Sequence, residues 1–255
     1  MIPGMTRLFV AGHSDSGTAF LPEGVLPWPE RTRAWVAAGT GEPCELSEVR
    51  FAAMGSRAVD YLVGAVEKAE PDIVILPLTG FVIAVGTVAE SVRARFGPRA
   101  ARLFLASEAR FQGHTREGRL RRSANRAARK VARRVLGTRP LSTVEQTTAI
   151  FEEIMDRLAR RESTQVVVVR DVRFSKEVQE REPRVHERFD RMEARLLAVA
   201  ARHHFVVADL EGAISRAPDR DVFYQDDGVH TTAAFHDVYF QLMQDAVGQA
   251  LATRA

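Results

Sequence analysis

One cysteine, one asparagine and three lysines stand among the 255 residues of this chain. The lone Cys44 excludes an internal disulfide. It lies in a polar stretch, Gly41-Glu42-Pro43-Cys44-Glu45, with no metal-ligand pattern around it, and is read as incidental. The single asparagine, Asn125, means that no site elsewhere in the chain can use an asparagine side chain. With only Lys68, Lys130 and Lys176 as lysines, the positive charge falls almost wholly to arginine. No apolar run approaches the ~18 residues of a membrane-spanning helix. No His, Asp or Glu cluster has metal-ligand spacing, and neither a Walker motif nor a dinucleotide glycine motif is present. No metal and no cofactor is therefore expected. Nothing cleavable precedes the first strand-like run, so a cytoplasmic location is expected.

Hydrophobic residues make up 45% of the chain, enough for the core of one sizeable α/β domain. The net charge of +3 hides an asymmetry. Arg110 to Arg139 carries eleven Lys and Arg against one acid, Glu117, a formal +10, which leaves −7 for the rest. Within that stretch Leu120, Ala124, Ala127 or Ala128, Val131 and Val135 recur at helical spacing, which predicts a basic amphipathic helix.

Elsewhere strand-like and helix-like runs alternate. Thr6 to Ala11 reads as a buried strand ending at Gly12, and Val49 to Ala53 as a second ending at Met54-Gly55. Ser56 to Ala69 reads as a helix, with Val59, Leu62, Val63 and Val66 on one face. Ile73 to Leu76 is the clearest strand, followed by Pro77-Leu78-Thr79-Gly80 and a helical stretch to about Phe96. Leu103-Phe104-Leu105 suggests a short strand, and Leu141 to Arg161 a helix. Gln165 to Arg170 is a strand, Pro183 to Arg202 a helix, Phe205 to Asp209 a strand and Thr231 to Ala252 the closing helix. Apolar strand runs without strict alternation argue for a parallel sheet covered on both faces. The expectation is an α/β fold over residues 1–255, a single domain with an inserted basic helical segment at about 97–140. In such sheets chemistry gathers beyond the carboxyl ends of the strands, where Ser14, Gly55, Thr79-Gly80 and Asp171-Val172-Arg173 all fall.

Two of these places carry groups that can work together. Asp227-Gly228-Val229-His230 sets a carboxylate three residues before an imidazole, on a loop leading into the last helix. Ser14, in Gly12-His13-Ser14-Asp15-Ser16, sits just after the first strand. A serine hydroxyl becomes a nucleophile when an imidazole takes its proton and a carboxylate fixes the imidazole tautomer. The oxyanion then needs N–H donors, which a tight turn at Ser14 and the backbone of Gly55 can supply. His203-His204 and His236 are assigned to a helix end and to helix packing; His114 lies in a loop.

In the order and context of these blocks the chain resembles the SGNH hydrolases, the GDSL-like esterase and lipase superfamily. The likeness covers most of the chain outside Gly97 to Pro140. It implies a flavodoxin-like three-layer α/β/α sandwich on a five-stranded parallel sheet, with Ser14 as nucleophile, Gly55 in the oxyanion hole, Asp227 and His230 as orienter and base, and acyl-ester chemistry without a metal. The chain departs from the family pattern twice. His13 stands where the family usually has Asp, and is either a satisfied turn histidine or a substrate contact. The turn that normally supplies an Asn to the oxyanion hole reads Leu78-Thr79-Gly80-Phe81. Either the Thr79 hydroxyl, the Gly80 N–H or a residue of the insertion takes that role, or the site hydrolyses esters poorly.

The expected activity is a serine hydrolase acting on an acyl ester or thioester of a small molecule. The alternatives are an acyltransferase, or a non-catalytic binding protein of the same fold. The basic segment at Arg110–Arg139 is either a solvated helix face or a docking surface for an acidic carrier protein or a coenzyme A donor. It contains a single aromatic residue, Phe111, and no nucleic-acid reader motif.

Overall fold

Val166 to Val169 and Ile73 to Leu76 are continuous runs of β-branched and aliphatic residues, and each residue in them is at most 2% exposed. Side chains on successive strand residues point to opposite faces, so such runs need cover on both sides. The computed structural model supplies it. It describes residues 4–13, 16–18, 21–84, 86–110, 134–225 and 230–253, with backbone alone at 106–110, 177 and 181. Ser14, Asp227, Asn125, His114 and most of the basic segment at Arg110–Arg139 lie outside the described residues.

The chain divides into two compact units, Met1–Gly80 with Val144–Ala255, and Phe81–Thr143. The first holds a five-stranded parallel sheet: β1 (Thr6–Gly12), β2 (Cys44–Arg50), β3 (Ile73–Pro77), β6 (Gln165–Arg170) and β7 (Val206–Asp209), in the order β2-β1-β3-β6-β7. One face, with Leu8, Val10, Ile73, Ile75, Val167 and Val169, packs on α1 (Trp28–Thr40) and α9 (Ala233–Ala252). The other is covered by α2 (Ala58–Ala69), α5 (Val144–Ala159) and α7 (Val185–Arg202). Two short helices, α6 (Lys176–Arg181) and α8 (Leu210–Ser215), follow β6 and β7. The result is the three-layer α/β/α architecture expected from the sequence.

In the second unit, α3 (Phe81–Ala84) leads to a two-residue antiparallel ribbon of β4 (Gly86–Thr87) and β5 (Arg139–Pro140), and α4 (Val88–Arg110) runs between them in sequence. Gly97 breaks α4 with φ 85° and ψ 172°, and Pro98 opens the following helical half. Proline suits that first position because its missing N–H would have no helical partner there.

Three local expectations are corrected. The second strand is Cys44–Arg50, not Val49 to Ala53. Among the described residues it is an edge strand that pairs with β1 alone, from Thr6↔Cys44 to Gly12↔Arg50. A strand with one side open to solvent needs no apolar run, and charged residues along it discourage pairing with another chain. Cys44 thus begins a strand and is buried, and burial pushes its thiol up to about 11, which makes it unreactive. Leu103-Phe104-Leu105 is helical within α4; Leu103 is 74% exposed, and the flanking Ala and Arg residues favour helix.

Helix α1 carries little sequence signal, since Pro27 and Pro29 flank its start and only one stripe is apolar. Its docking explains it. Trp28 stacks on Tyr239 of α9 with ring centroids 4.1 Å apart and planes 16° from parallel. The Trp28 N–H donates to His236 Nδ1 at 3.2 Å, so His236 is indeed a packing residue, buried and accepting a bond from a helix start. His203 caps the end of α7 and bonds Asp156 through Nε2 at 2.6 Å. Tyr239→Ala would empty a fully buried aromatic site, and the expected loss is about 3–5 kcal/mol in urea denaturation.

Candidate active site

Chain direction makes the site before any side chain does. From β1 the chain crosses to β2 on one side and then to β3 on the other. Connections leaving in opposite directions open a crevice at the carboxyl ends of β1 and β3. Register levels the strand ends: Gly12 lies beside Arg50, and Pro77 beside Val169. The Phe51 N–H continues the pairing by donating to Gly12 O at 2.8 Å, and the Leu78 N–H donates to Val169 O at 2.9 Å. The loops that begin at His13, Phe51, Leu78 and Asp171 therefore leave one edge of the sheet. His13, Gly55, Thr79 and Gly80 are all on them.

The first loop is closed at its base. Ser16 donates to His13 O from both N and Oγ, at 3.2 and 2.8 Å, and Ser16 Oγ also bonds Glu48 on β2. The two residues enclosed, 14 and 15, are outside the described set. Gly12 is required here by space: a Cβ would overlap Ser16 Oγ and the Glu48 carboxylate. Gly55 is required for a different reason. Its φ is +82°, and no atom stands within 4 Å of where a Cβ would sit, so the demand is conformational rather than steric. Thr79 and Gly80 are buried. The ring of Phe189 on α7 fills the place of a Gly80 Cβ, and Phe174 meets Phe189 edge-on with centroids 6.3 Å apart.

His230 is partly buried and ends a closed loop. An antiparallel bridge joins Tyr224 to Thr231, and the Gln225 N–H donates to His230 O at 2.8 Å. Gln225 Nε2 donates to Thr231 O at 3.1 Å, and the Thr232 N–H to Phe223 O at 3.1 Å. These bonds hold the main chain of His230 immediately before α9.

What holds this loop to the sheet edge was not visible in the sequence. Glu211, on α8 and 4% exposed, accepts a fork from Arg220 at 2.7 and 2.8 Å, the Arg173 N–H at 2.8 Å and the Ser215 hydroxyl at 2.9 Å. Arg220 Nη2 also donates to Arg173 O at 2.6 Å, and the Tyr224 hydroxyl donates to the same carbonyl. Arg173 Nη2 bonds Asp190. The one available signal was Glu211 itself, an acid on the buried face of α8 beside Leu210 and Ile214. Such a charge requires a partner. His186 borders the hub and was also missed. Its ring bonds the backbone of Phe174, while burial and then the nearby Arg173 and Arg220 charges hold it below the usual imidazole range.

Two buried acids near one another titrate in opposite directions. Burial pushes the Glu211 carboxyl up, but hydrogen bonds from Arg220 and the Arg173 N–H outweigh it, and the net result is a lowered pKa. Burial also pushes Glu193 up. Arg170, bonded at 2.8 Å, does not compensate fully, so Glu193 stays raised. Its Oε1 has no hydrogen-bond partner among the described residues. The difference is the number of donors each carboxylate receives. Among the described residues no three His, Cys, Asp or Glu side chains converge where they could hold a metal ion, and no described helix is long and apolar enough to cross a membrane.

No protein-family model matches the chain, and no curated protein matches its sequence. Solved structures do match its fold. A lipase/acylhydrolase from Enterococcus faecalis aligns with TM-score 0.56 and 15% identity, over 96% of this chain and 97% of that one. An alpha/beta hydrolase from the metagenome of Lake Arreo, Spain, aligns with TM-score 0.57 and 16% identity, over 95% of each chain. An acetylxylan esterase from Geobacillus stearothermophilus aligns with TM-score 0.55 and 10% identity, over 95% and 94%. The architecture is that of a class of α/β hydrolytic enzymes built on one parallel sheet. More narrowly, it is the fold of the SGNH hydrolases, the GDSL-like lipases and esterases.

The contrast between the two acids is measurable. Glu211→Gln is expected to lower stability by about 2–3 kcal/mol, because it leaves the partly buried Arg220 without its counter-charge. Glu193→Gln is expected to cost less than Glu211→Gln, because burial already disfavours the Glu193 charge and the neutral amide is spared that cost. The sign with pH follows from the lowered Glu211 pKa. Its contribution is complete above the ordinary carboxylate range and is lost as pH falls through its folded value. Urea midpoints of the wild type should therefore fall more steeply below about pH 4–5 than those of Glu211→Gln.

Proposed function

We propose that this protein is a serine hydrolase that cleaves an acyl ester or thioester through an acyl-enzyme. In this reading Ser14 is the nucleophile, His230 the base and Asp227 the group that orients it. The observation that carries the proposal is topological. The β1 turn bearing Ser14 leaves the switch point of the sheet, and a separately braced loop carries His230 just before the last helix. The likeness in fold to a lipase/acylhydrolase and to an acetylxylan esterase supports the same class of chemistry.

The steps follow from these roles. Ser14 Oγ adds to the acyl carbonyl while His230 takes its proton. The tetrahedral intermediate collapses as His230 returns that proton to the departing alcohol or thiol. Water, deprotonated by the same imidazole, then releases the acid. The backbone N–H groups of Ser14 and Gly55 are the proposed oxyanion donors. Gly55 suits the role because its positive φ is a conformation an L side chain would strain, and its exposed backbone has no Cβ to obstruct an approaching oxygen. A third donor in place of the missing asparagine is proposed at Thr79, whose hydroxyl lies on the loop after β3. A single oxyanion donor is worth about 3 kcal/mol, so this exchange sets the rate attainable rather than whether the reaction proceeds.

With p-nitrophenyl acetate as substrate, Ser14→Ala and His230→Ala are each expected to lower kcat by ~10⁴-fold or more, with unchanged urea midpoints. Asp227→Asn is expected to lower it by ~10³–10⁴-fold. Wild-type turnover by a folded Ser14→Ala protein would overturn the assignment.

A further inference from the structure

We infer that Tyr224 is a positioning residue for His230, acting through a clamp that joins the base loop to the main chain of Arg173 just beyond β6. The inference rests on the reading of His230 as the catalytic base.

The clamp has two halves. On the sheet side, both main-chain polar groups of Arg173 are engaged. Its N–H donates to Glu211 at 2.8 Å, and its carbonyl accepts from Arg220 Nη2 at 2.6 Å and from the Tyr224 hydroxyl. Arg173 lies three residues beyond the end of β6, so these bonds refer the clamp to a strand buried on both faces. On the loop side, Tyr224 pairs with Thr231 in the bridge that closes the loop, and the next residue donates from Gln225 N to His230 O at 2.8 Å. The Tyr224 hydroxyl thus bonds the loop beyond β6, while its two chain neighbours bond the strand of the loop that carries His230: Phe223 O accepts from the Thr232 N–H, and the Gln225 N–H donates to His230 O.

The phenol makes one further contact, a long one, accepting from Arg220 Nη2 at 3.4 Å beside the fork to Glu211. Tyr224 is 8% exposed, so its hydroxyl is not there for solubility. Nor is it needed to satisfy Arg173, whose carbonyl keeps the Arg220 bond if the hydroxyl is removed. That redundancy separates positioning from stability. Phenylalanine at 224 leaves the ring packed, the Glu211–Arg220 fork intact and no carbonyl orphaned. What it removes is one of two tethers on the loop. An imidazole displaced by a fraction of an ångström from its nucleophile loses rate steeply, since a misplacement of about 1 Å costs ~10²-fold.

The experiment compares wild type, Tyr224→Phe and His230→Ala on p-nitrophenyl acetate, with urea midpoints and amide hydrogen exchange of the 222–232 segment measured on each. The expected result for Tyr224→Phe is a kcat ~10–100-fold lower, a KM within about twofold, an unchanged urea midpoint and faster exchange in 222–232 but not in β6. Wild-type kcat and exchange in Tyr224→Phe would overturn the inference, and so would a loss of kcat fully matched by a fall in urea midpoint. The two readings fail separately. If His230→Ala retains wild-type kcat, the base assignment falls, whereas an inactive His230→Ala beside a fully active Tyr224→Phe removes only the clamp. Should Tyr224→Phe not fold, Arg220→Lys takes its place in the same measurements. It keeps a cation beside Glu211 but loses the fork that reaches Arg173 O, so its urea midpoint falls as well; a lower kcat with faster exchange confined to 222–232 supports the clamp, and wild-type kcat and exchange overturn it.

Discussion

The Glu211 carboxylate is the interaction on which the site depends. Placing a carboxylate in the interior costs several kcal/mol unless its lone pairs are filled. Here they are filled by the Arg220 fork, the Arg173 N–H and the Ser215 hydroxyl. The donors come from three different segments: the loop after β6, the end of helix α8 and the stretch leading to the loop that carries His230. Satisfying one buried charge therefore fixes three irregular segments relative to one another. Loops have little apolar surface with which to do this. A hydrophobic replacement could match the stability but not the directionality, since only bonds of defined geometry specify where Arg173 O and Tyr224 must meet.

The rest of the edge is held by contact rather than charge. Gly12 lets Ser16 and Glu48 approach the end of β1, and Gly80 lets Phe189 lie against the loop after β3. In both cases the absence of a side chain is what allows a neighbour to close the loop. Gly55 differs, being open to solvent and held by conformation alone. The loop that follows β1 and the loop that carries His230 are consequently stabilised by separate means. The first relies on close packing and a serine–glutamate bond, and the second on a buried ionic hub. A change in one should leave the other in place.

The buried layers of the fold were legible in the sequence. Ile73–Pro77 and Gln165–Arg170 stand out because strands covered on both faces must be apolar throughout. The edge strand Cys44–Arg50 was misplaced by several residues because a single neighbouring strand leaves its composition nearly free. Helix α1 gave no pattern, since its docking rests on one aromatic stack and a bond to His236, 208 positions away. Leu103 to Leu105 misled because three apolar residues in a row carry no period. The positions of Gly55 after β2 and of His230 before the last helix were legible in the sequence, while Ser14 lies outside the described residues. The hub was not, because the partners of Glu211 lie 38 residues before it and 9 after it, and pairing across such separations is set by the fold.

The central claim is that two loops from opposite ends of the chain meet as a nucleophile and its base. Its most direct test is the site of covalent modification by a fluorophosphonate, mapped by peptide mass spectrometry, with the inactivation rate followed against pH. The expected result is a single adduct on Ser14, formed at a rate that rises with deprotonation of an imidazole and that collapses in His230→Ala. An adduct on another residue, or a folded protein whose Ser14 reacts equally well without His230, would contradict it.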